Sequence, residues 1–202
     1  MKLHVFPASP NARKTMLTNA LLDLNIPLRI VDLQTGVQKS KDYLALNPNG
    51  KVPTLEFDNG STLWESNVII NKLAGDAKSD LWPASQARYD ILRWQFWEAC
   101  HWTPACTKYI ARHLFGNEGV DMDAAEVDFR RFAKVLDDHL TGRDWLVGDA
   151  MTTADISVAM VLYLREPCQY PLADYANIMR WVTGIEALPA YVAAMPERAA
   201  AE

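Results

Sequence analysis

Features that would indicate a nucleic-acid-binding or membrane protein are missing from this sequence. Its 202 residues carry 20 Lys and Arg against 25 Asp and Glu, a net charge of -5, with no basic cluster long enough to follow a phosphate backbone. No apolar run approaches the roughly 18 residues that a membrane-spanning helix needs. We therefore expect neither a nucleic-acid partner nor a membrane span.

Cysteine is scarce as well. The sequence has three cysteines, an odd number without C-x-x-C spacing: Cys100, Cys106 and Cys168. Neither a disulfide framework nor a zinc site is therefore predicted, and we expect buried, reduced thiols. The four histidines also lack metal-ligand spacing, and we expect no bound metal. The few residues before Pro7 are too short for the apolar part of a signal peptide, which predicts a cytoplasmic location.

What remains is the composition of an ordinary globular protein, with 50% hydrophobic and 22% charged residues. The first third alternates short apolar runs with helical periodicity. Lys2 to Phe6 predicts a strand, Pro10 to Asp23 a helix, and Leu28 to Leu33 a second strand. A helical crossover of this kind joins two parallel strands.

A short helix is predicted around Ser40 to Leu46, followed by two strands that form a hairpin. The strands are residues 52–57 and 62–64, and the Asn59-Gly60 pair between them is a strong turn signal. A helix is expected to begin near Glu65. The order βαβ then ββα predicts a mixed four-stranded sheet with helices over residues 1–75.

The composition turns polar after this segment, and residues 76–84 are predicted to form a linker. Residues 85–202 are predicted to be an all-helical domain, with a frayed tail at 199–202. Two apolar helix faces are expected there. One comprises Ile91, Trp94, Trp97 and His101, and the other Val127, Phe132, Val135, Leu136 and Leu140.

Four sequence blocks occur in an order and spacing that single matches would not produce. They are Ser9–Lys14, Asn47–Leu55, Trp64–Ile70 and Gly148–Ile156. In this combination the chain resembles the cytosolic glutathione transferase superfamily, in particular a bacterial-type branch with Ser and Asn at the sulfur site. The resemblance implies a thioredoxin-like, glutathione-binding α/β domain, followed by an all-α helical bundle that forms one wall of an electrophile pocket.

Ser9 precedes Pro10 and suits the N-cap of the first helix, which by itself is the more common role for such a serine. The N-terminus of a helix also favours an anion, and a thiolate is one. The resemblance implies that Ser9 donates to the sulfur of glutathione and that Asn11 is a second, or the principal, donor. The two residues alone do not decide between these roles.

The remaining glutathione contacts are also implied by the resemblance. Val52 and Pro53 would form a cis bond and present the backbone of Val52 to the cysteine of glutathione as an added strand. Lys51, with Lys39 or Gln38 in support, would reach its glycine carboxylate. As surface lysines, both would ordinarily only be solvated.

Glu65 and Ser66 open the next helix, where either could serve simply as a capping residue. The γ-glutamyl end of glutathione carries an ammonium and a carboxylate. An acidic side chain, a hydroxyl and free helix N–H groups match these two charges. The resemblance assigns this recognition to Glu65 and Ser66.

In the helical part, aromatic residues crowd a segment that Pro104 is expected to kink. The resemblance places this helix beside the electrophile, so Trp97, His101 and Trp102 are weak candidates for a pocket that takes a small hydrophobic co-substrate. Thr152 and Asp155 match a capping box, for which we expect a structural role.

The function expected from the resemblance is that of a homodimeric glutathione transferase acting in detoxification, with glutathione as co-substrate. One alternative is glutathione-dependent disulfide or peroxide reduction at the same site. Another is a non-catalytic binding module that uses the same fold. Because every predicted tripeptide contact is intact, the sequence favours the enzyme.

Overall fold

The computed structural model describes residues 1–195, which fold as two compact units. The first comprises Met1–Ser79 together with residues 187–195, and the second comprises Asp80–Glu186. The sequence had placed everything after the linker in the helical domain. The structure instead groups the C-terminal segment with the first unit, because its helix packs against the first helix of the chain. The predicted tail at 199–202 lies outside the described residues.

The first unit is built on a four-stranded sheet in the order β2-β1-β3-β4. Its strands are β1 (Lys2–Val5), β2 (Leu28–Ile30), β3 (Thr54–Glu56) and β4 (Thr62–Trp64). β1 pairs in parallel with β2 and antiparallel with β3, and β3 pairs antiparallel with β4. The predicted mixed sheet is confirmed, with β4 at its predicted bounds and the other three strands shorter than expected.

Two of the four described helices of the first unit begin at a serine that caps them. The four helices are α1 (Pro10–Leu21), α2 (Lys41–Leu46), α3 (Ser66–Asp76) and, near the C-terminus, α9 (Pro189–Ala194). The Ser9 and Ser40 side chains cap α1 and α2 by accepting backbone N–H bonds. A 3₁₀ turn at Val37–Lys39 precedes α2. Leu3, Leu55 and Ile69 are fully buried beneath these helices.

The second unit contains helices only, among its described elements. They are α4 (Ala87–Trp97), α5 (Thr103–His113), α6 (Met122–His139), α7 (Thr153–Ala159) and α8 (Ala176–Glu186). A widened π turn at Glu98–Trp102 joins α4 to α5, and a 3₁₀ turn at Met160–Leu164 follows α7. Nowhere in residues 1–195 is a helix both long and apolar enough to cross a membrane.

The irregularity expected at Pro104 lies just ahead of it, in the π turn. Proline has no N–H to give to the carbonyl one turn earlier, and its ring crowds that carbonyl. An ordinary α-turn would press the proline ring against that carbonyl. The π turn at Glu98–Trp102 widens the helix at this place. The helix therefore changes its winding and continues beyond the proline.

The apolar face predicted for α6 was wrong in part. Val127 and Val135 are 69% and 47% exposed. Small and large residues at three- and four-residue spacing form the buried face instead: Ala125, Phe129, Ala133, Leu136 and Leu140. Alanine carries a weak hydrophobic signal, yet its size lets neighbouring helices approach closely. The bulkier valines were assigned to the core for their hydrophobicity alone.

The burial predicted for the three cysteines is also correct only in part. Cys106 and Cys168 are fully buried, as expected, whereas Cys100 in the π turn is exposed. Burial raises the pKa of Cys106 well above its usual range and that of Cys168 to about 11. All three are free thiols.

Asp155 organises the start of α7. Its carboxylate accepts hydrogen bonds from the backbone of Leu146 and Thr152, from the Thr152 hydroxyl and from the indole of Trp181, at 2.8–3.1 Å. Burial raises the pKa of Asp155, and the hydrogen bonds oppose that rise. Thr152 caps the helix in return, so the predicted capping box is present.

Thr152→Ala should lower the free energy of unfolding by about 1–2 kcal/mol, because it removes both the cap and one donor to the buried carboxylate. Urea denaturation measures this loss. Thr107→Ala is a suitable control, since that hydroxyl is exposed and bonds only to the preceding turn. Unchanged stability in Thr152→Ala would contradict a structural role for the box.

Candidate functional site

The register of the sheet gathers three chain segments at one of its ends. His4 near the end of β1 lies opposite Thr54, the first residue of β3, and Thr54 lies opposite Trp64, the last residue of β4. The loop that leaves β1, the segment that enters β3 and the start of α3 therefore lie together. These segments carry the predicted residues Ser9, Val52 and Glu65.

Ser9 acts first as the cap of α1. Its hydroxyl oxygen accepts from the backbone N–H of Ala12 at 3.4 Å. Because this bond uses only the oxygen, the hydroxyl hydrogen remains available to a ligand. Arg13, almost completely buried, holds the preceding loop through a 2.8 Å bond from its Nε to the Pro7 carbonyl.

Asn11 and Ser66 join the starts of α1 and α3. The Ser66 hydroxyl donates to Asn11 Oδ1 at 3.3 Å. The residue predicted at the sulfur is thereby in direct contact with a residue predicted at the γ-glutamyl group. The dipoles of both helices favour an anionic ligand at this point.

Val52 presents an unused piece of backbone. Its peptide bond to Pro53 is cis, as the resemblance implied, and the residue is 7% exposed. Within residues 1–195, no hydrogen bond engages the Val52 N–H or C=O. A free donor and acceptor at the entrance to a strand can pair with an extended peptide.

A buried polar network fixes this backbone, and no sequence motif predicted that network. The Lys51 carbonyl accepts from the Tyr43 hydroxyl at 2.7 Å and from the Asn47 amide at 2.9 Å. Both side chains also bond to the Thr54 hydroxyl. Burial raises the pKa of Tyr43, so its phenol stays protonated and remains a donor. Tyrosine in a short helix gave no signal beyond an apolar core position.

Lys51 and Lys39 lie on adjacent loops. Gly50, at φ +60°, requires a left-handed conformation, and a side chain there would meet the Gln38 carbonyl at 3.1 Å. Lys39 and Lys51 flank these two contacting positions, and both are exposed. Neither ammonium forms an ion pair with any described residue. Cationic side chains at two such neighbouring backbone positions suit a carboxylate.

Glu65 has an unusual backbone. It precedes α3 at φ 72°, a left-handed value that costs a non-glycine residue about 1–3 kcal/mol. Its exposed carboxylate has no partner in the described part of the chain. Backbone strain of this kind concentrates at binding sites, and here it sets an unpaired acidic side chain beside Ser66.

The three residues predicted for the electrophile pocket differ in how deeply they are buried. Trp102 is fully buried, and its indole donates to the Val158 carbonyl at 3.3 Å, so it belongs to the core of the second unit and not to a pocket. Trp97 is half-buried and stacks on Trp102 at 5.9 Å. His101 is exposed and stacks on Phe132 at 5.2 Å.

Among residues 1–195, no group of three His, Cys, Asp or Glu side chains is placed to hold a metal ion. The polar groups gathered in the first unit are instead hydroxyl, amide, backbone and lysine groups. Such groups are suited to a peptide-like ligand that carries an anionic group.

Comparison with known proteins accounts for this arrangement. The sequence model of the glutathione S-transferase N-terminal domain matches residues 8–75, and that of the C-terminal domain matches residues 101–189. The chain belongs to the glutathione S-transferase family. Glutathione S-transferase 3 of Zea mays is 34% identical over 97% of this chain and 95% of its own length.

Solved structures of the family share the fold. A glutathione S-transferase from Pseudomonas fluorescens superposes with a TM-score of 0.84 at 28% identity, covering 94% of this chain and 96% of that one. The glutathione transferase URE2P6 of Phanerochaete chrysosporium, in complex with oxidised glutathione, gives a TM-score of 0.85 at 25% identity, covering 96% and 93%. The thioredoxin-like and helical architecture is thus that of the family.

Tyr43→Phe should loosen the segment that enters β3. Losing one of the two donors to the Lys51 carbonyl costs about 0.5–1.5 kcal/mol, so amide hydrogens in residues 47–54 should exchange about 2- to 10-fold faster. Hydrogen exchange followed by mass spectrometry measures this. Tyr175→Phe is the matched control, since it removes a phenol that donates to the Arg130 carbonyl in the other unit. Equal exchange in both variants would show that Tyr43 does not fix the loop.

Proposed function

We propose that this chain binds reduced glutathione at the end of its sheet, holds the cysteine sulfur as a thiolate and directs it to an electrophilic carbon of a small apolar co-substrate. The observation that carries the proposal is the Asn11–Ser66 hydrogen bond beside the open backbone of Val52. It joins a sulfur donor to a γ-glutamyl contact next to a place where a peptide can be added as a strand.

The tripeptide is recognised along its length. The backbone of Val52 pairs with the cysteine of glutathione, and Pro53 fixes the direction of that backbone. Lys51 and Lys39 pair with the glycine carboxylate. Glu65 takes the γ-glutamyl ammonium, while Ser66 and the N–H groups at the start of α3 take its carboxylate. Each charge of the ligand then meets an opposite charge or a hydrogen-bond donor.

The sulfur is held by Ser9 and Asn11. A hydrogen bond to a charged group contributes about 1.5–3 kcal/mol, which lowers a thiol pKa by about one to two. A fall from about 8.5 to about 6.5 raises the thiolate fraction at neutral pH about 25-fold. The lower basicity costs about 8-fold in nucleophilicity, which leaves about a threefold gain.

Most of the acceleration must therefore come from positioning. Two reactants held in attack geometry gain far more than this threefold factor, through high effective molarity. The first unit supplies a fixed thiolate for that purpose. The co-substrate, as the source of the electrophile, needs only an apolar surface beside the sulfur.

Glutathione-dependent disulfide reduction is a second candidate. URE2P6, which shares this fold, forms a complex with oxidised glutathione. An amide donor such as Asn11 can stabilise the thiolate that attacks a carbon. It can equally stabilise the thiolate that is released when a mixed disulfide is cleaved. The same site would then reduce disulfides or peroxides.

Thiolate formation provides the test. Ultraviolet absorbance of bound glutathione, followed across pH, should show ionisation near neutrality, and Ser9→Ala and Asn11→Ala should each raise the pKa of the bound thiol by about one. Ser85→Ala is the control, because it alters a serine in the second unit whose hydroxyl oxygen accepts from the backbone N–H of Ala87. Absence of ionisation in the unaltered protein would leave only a binding module. Turnover of an aryl halide but not of hydroxyethyl disulfide favours transfer, and the reverse favours reduction.

We infer further that the protein is a homodimer. Tyr89 and Phe96 lie seven residues apart on one face of α4 and are 70% and 66% exposed. Beside them is a largely apolar cavity of about 280 Å³ lined by Arg93, Trp94, Trp97, Val135 and His139. Exposed aromatic residues with an arginine are typical of protein interfaces, and the family resemblance favours a second copy as the partner.

Light scattering should give a mass of twice the 22.7 kDa of one chain. Phe96→Asp should shift this mass to that of the monomer, because it places a charge in the apolar interface. Val127→Asp is the control, as it introduces the same charge at an exposed valine of α6. A monomeric mass for the unaltered protein would contradict the dimer.

The three free thiols also support a cytoplasmic location. Cys100, Cys106 and Cys168 form no disulfide. Reduced cysteines persist in the compartment that maintains reduced glutathione. We infer that the protein acts there.

A further inference from the structure

Lys14 is a buried cation that the proposed mechanism does not use. It lies in the second turn of α1 and is 2% exposed, which is rare for lysine. Its ammonium reaches α3, where it donates to Ser66 Oγ at 3.5 Å and to Asn67 Oδ1 at 3.4 Å. Lys14 thus connects with the same serine that contacts Asn11.

Donor and acceptor capacities favour one direction for this chain of hydrogen bonds. A lysine ammonium carries donors only, so Ser66 Oγ accepts from Lys14 and keeps its own hydrogen for another partner. That hydrogen is directed at Asn11 Oδ1, 3.3 Å away. With its oxygen facing Ser66, Asn11 has its NH₂ group turned to the opposite side.

We propose that Lys14 is a positioning residue that orients the Asn11 amide through Ser66, so that the NH₂ group of Asn11 points toward the sulfur of bound glutathione. This rests on the proposed function, since it concerns the same sulfur site. An amide facing the sulfur with its oxygen would repel a thiolate, whereas one facing it with NH₂ stabilises it. Lys14 favours the second orientation, because it cannot accept the Ser66 hydrogen and leaves that hydrogen for Asn11 Oδ1.

The proposed role depends on the ammonium at position 14, because an ammonium donates hydrogen bonds but cannot accept them. A neutral side chain with an amide could accept the Ser66 hydrogen, which would no longer reach Asn11 Oδ1, and Asn11 could then turn its NH₂ group toward Ser66. Methionine could fill the same volume and would impose no direction on Ser66 at all. Arginine, which also only donates, should preserve the direction.

A double-mutant cycle on bound glutathione tests this. Lys14→Met should raise the pKa of the bound thiol by about one, which is about tenfold less thiolate at a pH below that pKa. The effect should disappear when Asn11 is already alanine, because Lys14 acts through that side chain. It should persist in a Ser9→Ala background. Lys134→Met removes an exposed lysine of α6 and should leave the pKa of the bound thiol unchanged.

The outcomes separate this inference from the proposed function. No thiolate in the unaltered protein defeats the proposed function itself. A thiolate that forms normally in Lys14→Met overturns only the role of Lys14. A pKa rise that remains in Asn11→Ala also overturns it, since Lys14 would then act by its charge directly on the sulfur.

Variants of intermediate character keep the test decisive if Lys14→Met does not fold. Lys14→Gln has similar length but can also accept, and it should raise the pKa of the bound thiol less than Lys14→Met does. Lys14→Arg should retain the unaltered value. A thiol pKa raised equally by Gln and Arg would contradict orientation through Ser66, because arginine preserves the donor-only character.

Discussion

The candidate site depends on the register of a small mixed sheet. Since β1 is paired on both sides, the chain that leaves it emerges beside the entry to β3, and the antiparallel β3–β4 pair returns α3 to the same place. Groups about 55 residues apart, such as Asn11 and Ser66, thereby come within 3.3 Å. A shift of one residue in either pairing would turn alternate side chains to the other face and separate them.

Two helix N-termini and a buried ammonium meet at this point, and all three are electropositive. In the first unit they are separated by hydroxyl and amide groups of Ser66, Asn67 and Asn11, which relay hydrogen bonds without carrying charge. An anionic ligand is favoured by this surplus. The polar side chains decide where the negative charge of the ligand lies and which of its atoms carries it.

Much of the first unit could be predicted from the sequence. Alternating apolar runs, the Asn59-Gly60 turn and the serines before α1 and α2 are local signals, and each element formed where its signal lay. The site motifs could be assigned because they are short and continuous. The supporting residues could not, because Tyr43, Asn47 and Lys14 acquire their roles from contacts across the fold. A lysine on a helix indicates solvent, and only the packing of α1 against α3 buries it. In the second unit, Val127 and Trp102 were misassigned because hydrophobicity does not tell which side of a helix its neighbours will cover.

The return of α9 to α1 makes the first unit discontinuous along the chain, with the second inserted between its parts. During synthesis on the ribosome, the sheet and its first three helices emerge well before the segment that covers α1. One side of α1 therefore stays uncovered until the entire second unit has been translated. An excised fragment ending at Ser79 would keep the site residues but leave one flank of α1 open to water.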